Sequence, residues 1–444
     1  MKKGHNEQER ELDTEDQARH DAPQTPLLCI FVSLLFASAV LLTAPRESSA
    51  MISSRYLGDV SVSLEGAKRT KPLYVESLVK YCLEKGDYRT WDSIDLASLG
   101  QCIKNTKLFE SVEVAATRPE IKVTVSDRWT LIPIPSAYAS DGKRSIGAFL
   151  FDSNFLGIGK TVGAGGSVST EGSTFSLMYF DPWVRFTDIT MNAMASRSST
   201  ELDAYHRTST LYAYDKKELG FHVSPGYRMT PLITGSVSLN YTKKQFSQIE
   251  TFSYPADYAC WGVGARLSYA NSDYKLFYND GFSGSISWSR QVRRTDDLNN
   301  IESTTARFEW DHLLFGTHAL QLGLQASSQS SDVGIGDVAT YGRGKGFRGI
   351  QPSGLWARQL AAGSVDYQIP IAHWGHGTVT IAPFVDYGTY KPFFEGTGNN
   401  YTAYGVGAYY FINLINLPGV GLAVGNNDDF MGVFATLSIG MSFN

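Results

Sequence analysis

Tyr341 to Ile350, YGRGKGFRGI, sets three cations, Arg343, Lys345 and Arg348, among four glycines. Glycine at this density cannot build a core, so the stretch reads as a pliable loop whose chemistry is charge pairing with an acid. The complementary stretch is FVDYG, Phe384 to Gly388, where Asp386 lies two strand-like runs later. Other patterns of chemical interest have plainer readings. Leu156 to Thr161, LGIGKT, imitates a phosphate loop, but Asn154 stands where the first glycine belongs and no strand-to-helix context follows, so a hairpin turn is expected. His373 and His376 in HWGH lack a nearby carboxylate cluster, and the four cysteines contain no CxxC pair, so no metal is expected. No Ser, His and Asp set suggests hydrolysis, and the chain reads as neither an enzyme nor a cofactor carrier.

These residues must be positioned by a chain of 444 residues with 42 glycines, 24 tyrosines and 24 phenylalanines, a composition suited to strands and tight turns. A net charge of -5 implies no nucleic acid partner. The mean hydropathy of -0.17 is that of a soluble protein, yet a membrane barrel hides its apolar band in alternate residues and looks hydrophilic on average.

Leu27 to Ala44 is the one long apolar run, 18 residues followed by Ser48, Ser49 and Ala50. It reads as a secretory signal within an N-terminal arm of residues 1–50, although Glu7, Glu9, Glu11, Asp13, Glu15 and Asp16 make that arm unusually acidic. Residues 56–128 then change character. Asp59 to Leu64 alternates as a strand, and Pro72 opens a helical pattern closed by Gly86. Asp92 is the expected cap of a second helix, and Phe109 to Ala115 and Ile121 to Val125 alternate again. The result is a β-α-α-β-β module. Cys82 and Cys102 fall on its neighbouring helices, which suits a disulfide and equally suits two buried thiols.

After a Pro-containing linker, 129–144, the period is almost entirely two, as in Leu320, Leu322 and Leu324 alternating with Gln321, Gly323 and Gln325. Sixteen such runs are read between Ser145 and Phe443, the first near 145 and two of them near 206 and 217. An even number fits a closed antiparallel barrel in a bilayer, here 145–444 with a long loop at 329–354. Val379, Ile381 and Val385 form the apolar face of their strand, which turns Asp386 into the lumen.

The chain resembles the BamA/TamA family of the bacterial surface antigen superfamily. Leu108 to Val112, LFESV, resembles the turn into a strand of the family's POTRA domain, and Asp152 to Gly159 its first barrel hairpin. Phe180 to Trp183, FDPW, Asp366 to Ile371, DYQIPI, and Tyr404 to Gly407, YGVG, resemble later barrel motifs in the right order. The resemblance implies a bacterial outer-membrane protein, mainly β, with a 16-stranded transmembrane barrel and one periplasmic POTRA domain. It implies that the long loop folds into the barrel and that a cation beside Gly346 and Phe347 bonds Asp386. Here that cation is Lys345 where the family has arginine; lysine can pair with a carboxylate but cannot make the planar two-pronged contact, so Lys345 or, in its place, Arg348, next to Gly349, is expected to pair with Asp386.

The implied function is insertion or translocation of client proteins, unfolded or exported, with accessory periplasmic subunits as further partners. A passive barrel plugged by its loop and a dedicated two-partner-type secretion pore are the alternatives. An extended client adds to an exposed sheet edge through its backbone, and the strand with Phe109, Val112 and Val114 is the expected edge. Closure requires the first strand, near Ser145 to Phe151, to pair with the last. Gly147 interrupts the one, and Gly440 and Ser442 put small groups on the other, so a weak seam is expected at Gly147, Leu437, Ile439, Gly440, Met441 and Phe443. Small inner residues would equally make room for the folded-in loop.

Overall fold

The computed structural model describes residues 52–54, 58–140, 143–206, 209–249, 254–275, 277–295, 300–331, 333–342, 344–351, 353–393, 398–412, 420–430 and 432–439. The signal reading of residues 1–50 and the seam positions Gly440, Met441 and Phe443 lie outside the described residues.

The N-terminal module comprises β1 (Ile52–Ser54), β2 (Gly58–Glu65), α1 (Pro72–Lys85), α2 (Leu96–Lys104), β3 (Phe109–Thr117) and β4 (Glu120–Asp127). Pro72 starts α1 because its missing N–H is one the first turn leaves unbonded anyway. Asp95, rather than the expected Asp92, caps α2, accepting from the N–H groups of Ala97 and Ser98. Asp92 sits instead in a 3-10 turn, Trp91–Ser93, that precedes the helix. The sheet order is β1-β2-β4-β3, with β2 and β4 parallel. Val75, Leu78, Val79, Leu99 and Ile103 of the helices close on Val60, Phe109, Ile121 and Val123 of the strands, all essentially buried.

The remaining strands are β5 (Leu131–Ser140), β6 (Lys143–Phe155), β7 (Lys160–Ser169), β8 (Gly172–Asp181), β9 (Ile189–His206), β10 (Ser209–Arg228), β11 (Ile233–Gln248), β12 (Tyr258–Lys275), β13 (Tyr278–Arg294), β14 (Glu302–Leu314), β15 (His318–Gln329), β16 (Thr340–Tyr341), β17 (Leu355–Trp374), β18 (Gly377–Pro392), β19 (Asn399–Ile412), β20 (Val420–Asn427) and β21 (Gly432–Ile439). β16 is a two-residue strand inside the long loop. The other sixteen form a closed antiparallel barrel in chain order, β21 returning to β5. Its faces are inverted relative to a soluble core: Val237, Leu267, Ile286 and Leu324 are more than half exposed on the outside, whereas Ser364, Asp366, Thr380 and Asp386 are buried inside. That is the arrangement a lipid solvent requires.

The strand count agrees with the sequence reading, but two of its assignments do not. The segment expected as a linker contains β5, and Ser145–Phe151 is part of the second strand, paired with β5 on one side and β7 on the other. Pro133 and Pro135 produced the error, because proline argues against a central strand. The runs near 206 and 217 are one strand, β10, whose charged middle, Asp215 to Glu218, interrupts the apolar alternation. Lys216 and Glu218 pair there at 3.0 Å.

The module is fastened to the barrel turns nearest it. Arg69 pairs with Asp152 and donates to Thr130 at 2.7 Å, while Asn154 donates to Thr70 at 2.9 Å. Gly159, in the β6–β7 hairpin turn, packs so closely on Tyr74 that an added Cβ would stand 2.1 Å from the ring. The Arg228 guanidinium lies over Tyr81 and Trp183 at 4.9 and 5.0 Å, and the Tyr81 hydroxyl donates to the Pro231 carbonyl at 2.8 Å. On the other flank of the module, Asn105 donates to Asp273 at 2.8 Å.

Candidate functional site

The loop between β15 and β17 enters the lumen and turns at Gly346 to Ile350. Gly346 and Gly349 both take positive φ, 83° and 74°, and a Cβ on Gly349 would come within 2.6 Å of Asn427 and Phe434. Only glycine fits that approach. Phe347 stacks on Tyr341 with ring centroids 5.6 Å apart, and the Tyr401 hydroxyl donates to the Gly346 carbonyl at 2.6 Å. The turn therefore presents Arg348 to the wall in one orientation.

Arg348 is buried, with Nη2 2.8 Å from Asp366 and 3.3 Å from Asp386. Its backbone N–H donates to Asp386 at 3.1 Å, its Nη2 to Ser364 at 2.8 Å, and its carbonyl accepts from Asn427 at 3.0 Å. The guanidinium also lies over Phe384, 3.8 Å from the ring centroid. Lys345 makes no ion pair with either acid: it is exposed and donates to Gln321 at 3.0 Å. Gln321 in turn accepts from Gln368, which accepts from Thr380. The structure thus gives Asp386 to Arg348 rather than Lys345, and adds Asp366, a second acid that the sequence reading did not assign.

A second anchor went unnoticed in the sequence. Asp337, nearer the start of the loop, is held by Lys244 of β11 at 2.9 Å and by Arg294 of β13 at 2.8 Å. Gln291 donates to it at 3.2 Å, and the Tyr258 hydroxyl is a further donor to it. The Ile335 carbonyl accepts from Tyr214 at 3.1 Å. The partners are separated from Asp337 by 93 and 43 residues, and only barrel closure brings them together. One signal was available: Lys244 alternates with outward Leu239 and Tyr241, which places it in the lumen, where a cation needs an acid.

Of the other predicted positions, Phe109, Val112 and Val114 lie on β3, at one end of the module sheet. Phe109 is buried and the two valines are partly buried against the module core, which leaves the strand's outer backbone edge as the feature available to another strand. Cys82 and Cys102 are joined in a disulfide, their Cα atoms 5.8 Å apart. Gly147 is not at the seam but inside the wall, where an added Cβ would meet Ser136 of β5 and Ser167 of β7 within 2.8 Å. β21, which carries Leu437 and Ile439, is next to β5. His373 and His376 fall at the β17–β18 turn, His373 bonding Thr378 at 2.8 Å.

Comparison with solved structures gives the same architecture. BamA from Haemophilus ducreyi lacking POTRA domains 1–3 aligns with a TM-score of 0.54 at 15% identity, over 87% of this chain and 84% of that one. CdiB from Acinetobacter baumannii aligns with a TM-score of 0.56 at 12% identity, over 86% and 73%. CdiB from Escherichia coli reaches 0.58 at 10% identity, over 88% and 77%. Identities this low speak for the fold alone. A search of curated proteins finds no match. The Omp85 superfamily domain matches residues 154–410, more than half of the sequence, from the end of β6 into β19. That span takes in the inward loop and both walls that anchor it, and the chain belongs to the Omp85 superfamily.

Proposed function

We propose that the chain is a protein assembly or translocation factor of the bacterial outer membrane. Its module, a POTRA domain, lies in the periplasm and receives extended clients along β3, and its barrel inserts or exports them. The observation that carries this reading is in β5. The Ser153 N–H donates to the Thr130 carbonyl, so even-numbered residues of β5 make the hydrogen bonds to β6. Hydrogen-bonded and non-hydrogen-bonded pairs alternate along an antiparallel ladder, which turns Pro133 and Pro135 toward β21. Two donors are missing from the side of β5 that must close the barrel, and a seam short of bonds in lipid is one that a client strand can enter.

The test is a set of cysteine pairs, one residue in β5 and one in β21, oxidised in cells. Sealing the seam is expected to stop assembly of outer-membrane clients. Reductant should restore it, with unsubstituted protein given the same reductant because Cys82–Cys102 opens too. Full assembly by the sealed barrel would remove lateral entry and favour the second reading, a structural barrel plugged by its loop. The two-point anchoring of that loop is what supports the second reading.

A further inference from the structure

The outer face of the barrel changes character abruptly on β9, β10 and β11. Phe221, Tyr241 and Trp261 pair across neighbouring strands in one row, the rings 6.3 and 5.0 Å apart, and Val223, Leu239 and Leu267 continue the exposed apolar band toward the module. In the next row away from the module, Leu219 stands between Arg197 and Lys243, and one row farther is Lys217. All three cations are exposed, and among the described residues none is joined in an ion pair. Their inward-facing neighbours differ: Lys216 is paired with Glu218 and Lys244 with Asp337. Arg290, an outward cation of β13, is paired with Glu302 at 3.2 Å. Glu201 and Asp215 stand opposite each other beyond Lys217, so the cations are the first charges met past the aromatic row.

A three-cation cluster at the edge of an apolar band has little to gain from water alone. Adjacent strands are about 4.8 Å apart, so Arg197 and Lys243, two strands apart, are separated by roughly 10 Å at the backbone, with Lys217 above and between them. Aromatic rings mark the level of lipid headgroups, and phosphates lie immediately beyond. We propose that Arg197, Lys217 and Lys243 bind the phosphates of a phosphorylated glycolipid of the lipid A class, its acyl chains lying along Phe221, Tyr241 and Val223. Two phosphates on one headgroup engage a cluster of this width together. The inference rests on the reading above that the module is periplasmic, which puts this rim in the outer leaflet.

The experiment uses the full chain, purified into nanodiscs of phosphatidylcholine doped with diphosphoryl lipid A, with retained lipid counted by mass spectrometry. The comparison is the variant carrying Arg197→Gln, Lys217→Gln and Lys243→Gln. Retention should fall by about fivefold per cation and on the order of a hundredfold together. Lys391→Gln, an exposed cation on β18, should change nothing. Heat-modified gel mobility reports that each barrel is folded. Unchanged retention by the folded triple variant overturns the site, as does equal retention of phosphatidylglycerol, or displacement of the lipid by millimolar pyrophosphate, which would make it a general anion site. On intact cells, labelling of Thr170→Cys in the β7–β8 turn by an impermeant maleimide reports the orientation separately. A failed lipid site is thereby distinguished from a failed orientation, and neither readout depends on client assembly.

Discussion

The two anchors of the inward loop are electrostatic opposites. At one, a cation sits between two acids, Arg348 with Asp366 and Asp386; at the other, an acid sits between two cations, Asp337 with Lys244 and Arg294. The first is also held by shape, through the Gly349 turn, the stacked Phe347 and backbone bonds to Tyr401 and Asn427. The second also has backbone bonds, from Tyr214 to the Ile335 carbonyl, Lys244 to the Gly336 carbonyl and Gln329 to the Asp337 carbonyl, but its charge pairing converges on one carboxylate. A cation between two acids keeps one partner when one acid is lost, whereas two cations that converge on a single carboxylate lose it together. The loop thus spans from the β11–β13 wall to the β17–β20 side, and undoing either end frees part of it within the pore.

The largest effect is expected from Arg348→Ala, which leaves Asp366 and Asp386 buried without their cation. Breaking a buried pair on one side costs about 3–5 kcal/mol. Urea unfolding in lipid vesicles measures the loss, and single-channel recordings should show a noisier, larger conductance. An unchanged trace would make the Asp337 anchor sufficient by itself.

Asp337→Asn comes next. It keeps the side-chain volume but removes the carboxylate that faces Lys244 and Arg294, and Lys244 reaches closer to solvent than Arg294, so a smaller loss of about 2–3 kcal/mol is expected. If the two ends act as one brace, the double variant with Arg348→Ala should destabilise less than the sum of the singles in the same unfolding assay.

Acid should also loosen the module's connection to its first helix. Burial raises the Asp127 carboxyl, but the Thr70 hydroxyl and the backbone N–H groups of Arg69, Lys68 and Thr70 outweigh it and hold the group below the usual aspartate range. A folded pKa below the unfolded one stabilises above the ordinary carboxylate range, and this contribution disappears as pH falls through the folded pKa. Asp127→Asn should flatten that acid limb, read as protease sensitivity of the module between about pH 5 and pH 2. A limb of unchanged slope would assign the acid loss to other carboxylates.

The smallest effect belongs to Lys345→Met. An exposed lysine with one hydrogen bond to Gln321 contributes under about 1 kcal/mol, so conductance and stability should stay near those of the parent. A loss matching that of Arg348→Ala would return the lumen lock to Lys345.

The barrel was legible in the sequence because a strand with lipid on one side and a lumen on the other alternates with period two, a signal that each strand carries alone. The same parity turned Asp386 inward and left Lys345 and Arg348 as its candidate partners, between which the folded loop decides for Arg348. β5 was hidden because proline is a local sign against a strand, whereas its two prolines face away from β6, and only the ladder reveals which neighbour a missing N–H would have served. The charges of β10 disguised one strand as two, since they lie past the apolar band and local alternation does not show where the membrane ends. The Asp337 anchor and the place of Asp366 beside Arg348 could only be decided by the closed barrel. Each pair joins a loop residue to a wall residue whose distance from it depends on strand register around the circumference, and no local pattern of residues encodes that sum.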